Sequence, residues 1–439
     1  MSNPALQSTN SRLWRSTFIV SAMTLLSRIA GLVRDMVFMN LFGAGKLMDA
    51  FLVAFKIPNF LRRLFAEGAF SQAFVPVLSD VRAQRGDAAV RQLIDHVAGS
   101  LTLIIGSISA VAIVFSPAII FVFAPGFRED ALRFDLAADM LRITFPYLLL
   151  ISLTAFAGGI LNTYGRFGAS SFTPVLMNLS MIGCAVWLAP LLTTPIMALA
   201  WGVLISGIVQ LGFQWWPLRQ INLVPRFKPD FKDPDVKRIL TLMIPAMFGV
   251  SVSQINLLLD TILASFLVAG SVSWLYTAER LTELPLGLIG IAVATVILPT
   301  LSTKHAEKSD AEFRGTIDWA LKVIVMVGVP ASLAMGILAE PLMASLFHHG
   351  EFDSNDVVKS AMALQALSGG ILAFMLIKVF APAFYARQDT RTPVRIGIIA
   401  MIANMVFNLM LVWHLEHVGL SLASTLSAFL NAGLLYKGL

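Results

Sequence analysis

Charged residues occur inside segments that otherwise have the composition of membrane helices. One apolar run contains Arg28, Arg34 and Asp35. Two other runs contain a larger set: Asp49, Lys56, Arg62, Arg63, Glu67, Glu279, Arg280 and Glu283. An arginine at the centre of a bilayer costs about 2.5–3.5 kcal/mol. We therefore expect these side chains to face protein or water rather than lipid.

Two acid–base pairs within this set can form on one helix. Arg63 and Glu67 are four residues apart, and Arg280 and Glu283 are three apart. Residues at these spacings are neighbours on a helix surface. The sequence therefore predicts an ion pair at each of these two places.

The remaining arginines suggest an anion site. Arg28 and Asp35 are two helical turns apart and share a stripe, whereas Arg34 and Arg62 have no obvious partner in their own helices. The planar guanidinium fork suits phosphate in particular. We predict a phosphate-binding cluster in a water-filled cleft. The alternative is that all these charges pair between helices and only hold a bundle together.

A second polar group could bind a small cation. Asp260 lies in an otherwise apolar helix, and Asn404 and Asn408 are one turn apart on another. Carboxylate and amide oxygens suit a hard cation, so Na⁺ or H⁺ is a candidate coupling ion. The alternative is a hydrogen-bonded structural cluster. Lys378 is a further lone charge in an apolar segment, which could reach the cleft.

Other chemistries lack their signatures. Cys184 is the single cysteine and lies in an apolar run, so it is expected to be a small buried side chain. The sequence has no His-Glu-x-x-His motif, phosphate-binding loop or nucleophile elbow. We find no nucleic-acid motif. The sequence thus predicts no enzyme, no bound metal and no cofactor.

The elements that carry these residues are long apolar helices. The chain has 439 residues, of which 57% are hydrophobic and 13% charged. Apolar runs of about 20 residues can cross a bilayer. We predict an all-α polytopic membrane protein with twelve spans, near residues 17–42, 48–79, 96–124, 136–163, 170–190, 195–216, 237–267, 273–301, 318–347, 358–385, 394–414 and 418–438.

The distribution of basic residues predicts the orientation. Lys and Arg concentrate in the loops on one side, including the linker 219–238, and the opposite loops carry only Lys46, Arg128, Arg133 and Lys359. Loops rich in Lys and Arg remain in the cytoplasm. We therefore expect a cytoplasmic N-terminus, with the first span uncleaved. The net charge of +6 follows from this asymmetry.

The sequence repeats weakly, which divides the chain into two halves. The matching segments are 42–51 with 267–276, 75–80 with 298–303, 123–127 with 347–352, and 164–175 with 385–394. We predict a six-helix bundle over 1–218, a cytoplasmic linker over 219–236 and a second six-helix bundle over 237–439. An even number of spans per half makes the repeats parallel, around a central cationic cleft. This architecture is typical of transporters.

Prolines fall inside the second and eighth predicted spans, which are related by the repeat. These residues are Pro58, Pro76, Pro285 and Pro299. Proline removes a helical hydrogen bond and kinks the helix. Broken helices at matching places in two halves indicate a transport site.

Three segments resemble a known family. They are SRIAGLVRD (27–35), FGAGKLMDAFLVAFKIPNFLRRLFAEGAFSQAFVPVLSD (42–80) and SVSWLYTAERLTELPLG (271–287). They closely resemble the MurJ (MviN) family of lipid II flippases, within the multidrug/oligosaccharidyl-lipid/polysaccharide exporter superfamily. The resemblance runs from about residue 17 to the end of the chain.

The resemblance implies a function and a site. Members of this family move lipid II, an undecaprenyl-pyrophosphate glycopeptide, from the cytoplasmic to the periplasmic leaflet of the bacterial inner membrane for peptidoglycan synthesis. By resemblance, the substrate-binding residues are Arg28, Arg34, Asp49, Arg62 and Arg280. Family members commonly have two further helices that form a groove for the lipid tail, and this sequence stops at Leu439.

The resemblance also implies a mechanism and partners. We expect alternating access, with lipid II and membrane lipids as partners and no nucleic acid. We expect a monomer, with contacts to peptidoglycan synthesis enzymes. The alternatives are a flippase for another polyprenyl-pyrophosphate oligosaccharide and a cation-coupled multidrug exporter of the same fold. The exporter would require an acidic or aromatic cavity, whereas this cluster is basic.

Overall fold

The computed structural model describes residues 4–287, 291–307 and 309–439, which contain helices and no strands. The α-helices are α1 Pro4–Phe42, α2 Lys46–Arg62, α3 Ser71–Val114, α4 Ser116–Phe123, α5 Ala131–Thr144, α6 Tyr147–Thr163, α7 Phe167–Gly183, α8 Met197–Gln220, α9 Pro234–Ser265, α10 Ser271–Pro285, α11 Ile291–Ala306, α12 Asp310–Ile337, α13 Ala339–Phe347, α14 Ser354–Ser368, α15 Ile371–Ala386 and α16 Arg391–Gly438. The π-helical segments are Arg63–Phe70 and Cys184–Leu188, and the 3₁₀ segments are Pro125–Glu129 and Ala189–Leu191.

Two of the longest helices are each divided by one residue. The helical path of α3 breaks at Gly86, which has φ 74°, and that of α16 breaks at Glu416, which has φ 52°. The second break falls between the predicted spans 394–414 and 418–438. Both predicted spans therefore lie within α16.

Several helices can cross a membrane, as a polytopic chain requires. Within the described part of the chain, six segments are long and apolar enough: Ser71–Val114, Ala131–Thr163, Phe167–Leu191, Met197–Gln220, Asp310–Ile337 and Arg391–Gly438. The bent pair α14 and α15 makes a seventh if it is one span. Twelve spans stay a prediction, since α16 alone contains two of them and the charged helices α1, α2 and α10 are not among these six.

The second predicted span is interrupted, and residues 288–290 of the eighth lie outside the described part of the chain. In the second, α2 ends at Arg62 and the π-helical segment Arg63–Phe70 precedes α3. In the eighth, α10 ends at Pro285 and the next α-helix begins at Ile291. Pro58 lies one turn before the first break and lacks the N–H that would bond the Ala54 carbonyl. The Thr144 hydroxyl lies 3.5 Å from that carbonyl oxygen instead.

The helices form two compact units. Unit 1 comprises residues 1–38, 50–122 and 131–251, and unit 2 comprises residues 39–49, 123–130 and 252–439. These units follow packing rather than the sequence repeat. The predicted boundaries at 218 and 237, and the pseudo-two-fold relation of two bundles, therefore stay predictions.

Aromatic and aliphatic side chains form the core of each unit. In unit 1, the ring of Phe74 lies 5.1 Å from that of Phe70 and 5.0 Å from that of Phe156, which joins α3 to α6. In unit 2, buried residues of α11, α12, α15 and α16 pack together, including Ile297, Ile324, Phe380 and Leu435. The first core lies beside the π-helical segment that carries Arg63, since Phe70 ends that segment.

Candidate functional site

Arg34 is buried and paired, contrary to the expectation from its helix. Its Nε and Nη2 atoms donate to Oδ1 of Asp35 at 3.0 and 2.7 Å. Arg34 is 4% exposed and Asp35 is 1% exposed. Adjacent residues on a helix do not normally face each other. Here the long guanidinium reaches its neighbour because neither charge can be buried alone without a large cost.

A residue of a second helix also bonds to Arg34. Asn178 of α7 accepts a hydrogen bond from Nη1 of Arg34 at 3.0 Å, and its Nδ2 donates to the Ser27 carbonyl at 3.0 Å. The amide thus fixes both the guanidinium and the backbone of α1. Sequence reasoning missed Asn178, although an amide inside an apolar helix is the signal that singled out Asn404 and Asn408.

Arg28 and Arg62 are more accessible than Arg34. Both side chains are half-buried in unit 1. Among the described residues, Arg28 has no hydrogen bond or ion pair. Nε of Arg62 donates to Oδ1 of Asn59 at 2.9 Å, one turn earlier on α2. Arg62 is the last residue of α2 before the π-helical segment, a type of irregularity common at functional sites.

Three further predicted cavity residues lie in α2 and the π-helical segment that follows it: Lys56, Arg63 and Glu67. Lys56 and Arg63 are half-buried. The Glu67 side chain lies outside the described residues, so the predicted Arg63–Glu67 pair stays a prediction.

Asp49 caps a helix. It is 0% exposed, and it accepts hydrogen bonds from the amides of Gly270 at 2.7 Å and Ser273 at 3.0 Å. The Ser273 hydroxyl donates to it at 2.7 Å. A carboxylate at a helix N-terminus is stabilised by the helix dipole. Gly270, with φ 99°, provides the left-handed turn that exposes these amides. In unit 2, Asp49 therefore fixes the start of α10, the helix that carries Arg280.

The predicted pair on α10 is confirmed. Nη1 of Arg280 donates to Oε2 of Glu283 at 3.1 Å, and the guanidinium carbon lies 5.5 Å from the ring centre of Tyr276. Arg280 is half-buried and Glu283 is exposed. Glu279 is half-buried, and Lys378 of α15 is exposed.

The three residues of the predicted cation site meet in unit 2. Oδ1 of Asp260 accepts from Nδ2 of Asn408 at 2.6 Å and from Nδ2 of Asn404 at 3.3 Å. The Ser427 hydroxyl donates to Oδ1 of Asn404 at 3.2 Å. Oδ1 of Asn408 is buried and has no hydrogen-bond partner in the described part of the chain. The cluster joins α9 to α16.

These groups can bind ions rather than break bonds. The arginines offer hydrogen-bond donors to an anion, and the Asp260 cluster offers oxygens to a cation. Across the described residues, no group of three His, Cys, Asp or Glu side chains could hold a metal ion.

Comparisons with known proteins identify the family. The sequence profile of the family described as "Lipid II flippase MurJ" matches residues 38–439. A Vibrio cholerae protein called "Probable lipid II flippase MurJ" is 51% identical over 98% of this chain and 83% of its own length. A Burkholderia cenocepacia protein called "Lipid II flippase MurJ" is 42% identical over 97% of this chain and 84% of its own length.

Solved structures agree with the family and show the fold. A structure of "Lipid II flippase MurJ, inward closed conformation" has a TM-score of 0.84 and 28% identity, covering 96% of this chain and 87% of its own. An inward-facing multidrug transporter of the MOP superfamily has a TM-score of 0.78 at 15% identity, covering 96% of both chains, a similarity of fold alone. The profile match and the identity over nearly the whole chain establish that this multi-pass membrane protein belongs to the lipid II flippase MurJ family.

Proposed function

We propose that this chain moves lipid II from the cytoplasmic to the periplasmic leaflet of the bacterial inner membrane by alternating access. The N-terminus would be cytoplasmic, as the basic loops predict. The observation that carries the proposal is the family membership, with 51% identity to a relative over 98% of the chain. We expect the chain to act as a monomer among membrane lipids, in contact with enzymes of peptidoglycan synthesis.

The head group is the difficult part of this movement, because a diphosphate and sugars cannot enter hydrocarbon without a large desolvation cost. In this proposal Arg28, Arg62 and Arg280 bind the diphosphate. Their half-burial supports this role, since each side chain keeps part of its surface accessible. Guanidinium groups bind phosphate through paired hydrogen bonds. The isoprenoid tail would remain in lipid throughout.

We assign Arg34 and Asp49 positioning roles in place of direct contact with the substrate. The guanidinium of Arg34 is held by Asp35 and Asn178, and the carboxylate of Asp49 is held by the start of α10. Arg34 would fix the part of α1 that carries Arg28. Asp49 would fix the helix that carries Arg280.

The membrane potential favours this direction of transport. Moving a unit charge through 100 mV corresponds to about 2.3 kcal/mol. Moving two negative charges outward from an inside-negative cell would therefore be favourable by about 4–5 kcal/mol. No covalent step is required of the protein.

The proposal is tested by depleting the protein in cells and measuring the leaflet distribution of the lipid-linked precursor. Lipid II should accumulate on the cytoplasmic face, and a plasmid copy of the wild-type chain should restore its export. A copy with Arg142→Ala, which removes an exposed pair with Asp139, should restore export equally well. Unchanged export after depletion would refute the proposal. Accumulation of a different polyprenyl-diphosphate oligosaccharide would instead identify another substrate.

We also propose that Asp260, Asn404 and Asn408 bind the coupling ion, Na⁺ or H⁺. The buried Oδ1 of Asn408 supports a Na⁺ ligand role, because a buried acceptor without a donor is costly. Rotation of either amide would present its carbonyl oxygen to a cation beside Asp260.

Two variants separate the two ions. If Na⁺ is the ion, it should raise the thermal midpoint of the purified wild-type protein, and both Asp260→Ala and Asn408→Ala should abolish this effect. If H⁺ is the ion, Na⁺ should have no effect, and Asp260→Ala alone should abolish the pH dependence of transport. Unchanged ion dependence in Asp260→Ala would exclude the site.

A further inference from the structure

The linker before α9 combines exposed aromatic and basic residues. We call residues 226–233 the strap; its sequence is Arg-Phe-Lys-Pro-Asp-Phe-Lys-Asp. Phe227 is 52% exposed and Phe231 is 44% exposed. Arg226, Lys228 and Lys232, which flank these two rings, are also exposed. Single exposed apolar residues are normal on any protein surface. Two exposed rings flanked by three cations on one short segment are a cluster, which suggests a binding surface.

The strap has a fixed path, because its backbone is bonded to α3 within unit 1. The amide of Arg226 donates to Oδ1 of Asp95 at 2.7 Å, and the amide of Lys228 donates to the Asp95 carbonyl at 3.3 Å. A Cβ on Gly99 would overlap the backbone of Lys228 and Pro229, which shows how closely the chains approach. The strap is thus an ordered segment rather than a free linker.

Side chains fix the end of the strap and the residues just before it. Nδ1 of His96 lies 2.8 Å from Oδ2 of Asp233, and Nη2 of Arg91 donates to the Asn222 carbonyl at 3.0 Å. The basic side chains of the strap make none of these bonds. They therefore remain available to another ligand. Of the two acidic residues, Asp233 is engaged by His96, and the more exposed Asp230 lies 3.9 Å from the same Nδ1 atom.

The strap contacts α3 at the predicted start of a membrane span. Its contacts on α3 are Asp95, His96 and Gly99, and the third predicted span starts at residue 96. The segment Ser71–Val114 is one of the helices able to cross a membrane. The basic loops predict that this end is cytoplasmic, where the leaflet is rich in anionic lipids.

We propose that the strap binds the anionic surface of the cytoplasmic leaflet. Phe227 and Phe231 lie at the boundary of head groups and acyl chains, where aromatic rings bind favourably. Arg226, Lys228 and Lys232 bind lipid phosphates, because basic residues near the surface are attracted to anionic lipids. The contact anchors the connection between α8 and α9. It requires only that the chain spans a membrane, not a particular substrate.

Spin labels can measure the depth of the two rings. Cys184 is the single cysteine, so a Cys184→Ser background accepts one new label at a time. Phe227→Cys and Phe231→Cys are labelled separately in the full chain, in vesicles containing phosphatidylglycerol. Collision with oxygen, which concentrates in lipid, is compared with collision with a water-soluble nickel chelate. Ala88→Cys, at an exposed position of unit 1, provides the water-accessible control.

Both strap labels should show an oxygen-to-nickel ratio several-fold above that of Ala88→Cys. The triple change Arg226→Gln, Lys228→Gln and Lys232→Gln should lower the ratio at position 227, whereas Lys237→Gln outside the strap should not. Vesicles of phosphatidylcholine alone should lower the oxygen-to-nickel ratio at position 227 to a similar extent. Oxygen-to-nickel ratios equal to that of Ala88→Cys in anionic vesicles would overturn the proposal. Labels that become protected from the nickel chelate only after soluble cell proteins are added would also overturn it.

Discussion

Two buried charges on α1 form a pair that an amide of a second helix supports. Arg34 and Asp35 are adjacent on α1, and Asn178 holds the guanidinium from α7. Replacing one member of a buried pair leaves the other without compensation, which costs more than the pair itself contributes. In the proposed function, the pair therefore fixes the helix that carries Arg28.

Asp35→Asn should destabilise the protein strongly, by about 3–5 kcal/mol, because Arg34 keeps its charge and loses its counter-ion. The measurement is the thermal midpoint of the purified protein in detergent. The double variant Arg34→Gln with Asp35→Asn should recover part of the loss. Asp139→Asn, which breaks an exposed pair, should cost no more than about 1 kcal/mol. Equal midpoints for Asp35→Asn and Asp139→Asn would contradict this assignment.

The residues of the site were predictable only in part. Charges in apolar helices identify Arg28, Arg34, Arg62 and Arg280 because they are rare and costly there. Spacing on one helix predicted the partner of Arg280, and polar residues in apolar helices predicted the contact of Asp260 with Asn404 and Asn408. Arg34 and its amide partner Asn178 are 144 residues apart, and no local spacing reports that contact.

At the scale of elements, the strap packs directly against α3. Gly99 allows the strap backbone to lie directly on the helix, and His96 and Asp95 bond to it. Gly106, two turns further along α3, has open space where its Cβ would lie. The two glycines therefore provide a matched test of the packing.

Gly99→Ala should displace the strap, because a Cβ there would lie 2.5 Å from the carbonyl carbon of Lys228. Limited trypsin digestion measures this, since the linker contains several Lys and Arg sites. Cleavage between α8 and α9 should be several-fold faster in Gly99→Ala than in the wild type. Gly106→Ala should match the wild type. Equal cleavage of both variants would mean that the strap does not depend on this contact.

The attachment of the strap should also depend on pH. Burial alone would raise the pKa of Asp233, but hydrogen bonds from His96 and from the amides of Asp235 and Val236 lower it below its ordinary value of 3.8. A lowered pKa in the folded state means that the attachment contributes fully above pH 3.8 and is lost as the pH falls through the lowered value.

A spin label at Lys232→Cys, in the Cys184→Ser background, can report this change. The label should keep constant mobility from pH 8 to pH 5 and become more mobile below 3.8. Asp233→Asn should show the high mobility already at pH 7. A label whose mobility in Asp233→Asn equals that of the wild type would show that the carboxylate is not needed.

At the scale of the whole chain, the sequence identified the fold class and the family, because long apolar runs and one long motif are both local features. The interruption of the second predicted span after Pro58 was also expected, whereas Pro76 and Pro299 lie inside α3 and α11. The membership of residues 39–49 and 123–130 in unit 2 was not expected. It depends on contacts such as Asp49 with Gly270, which are 221 residues apart.

The most direct test of the central claim, that arginine side chains bind the diphosphate, is lipid II flipping by purified variants in proteoliposomes. Arg28→Ala, Arg62→Ala and Arg280→Ala should each lower the rate by about tenfold or more, since a hydrogen bond to a charged group contributes about 1.5–3 kcal/mol. Arg142→Ala should flip at the wild-type rate. If the three site variants flip as fast as Arg142→Ala, the arginines do not bind the diphosphate.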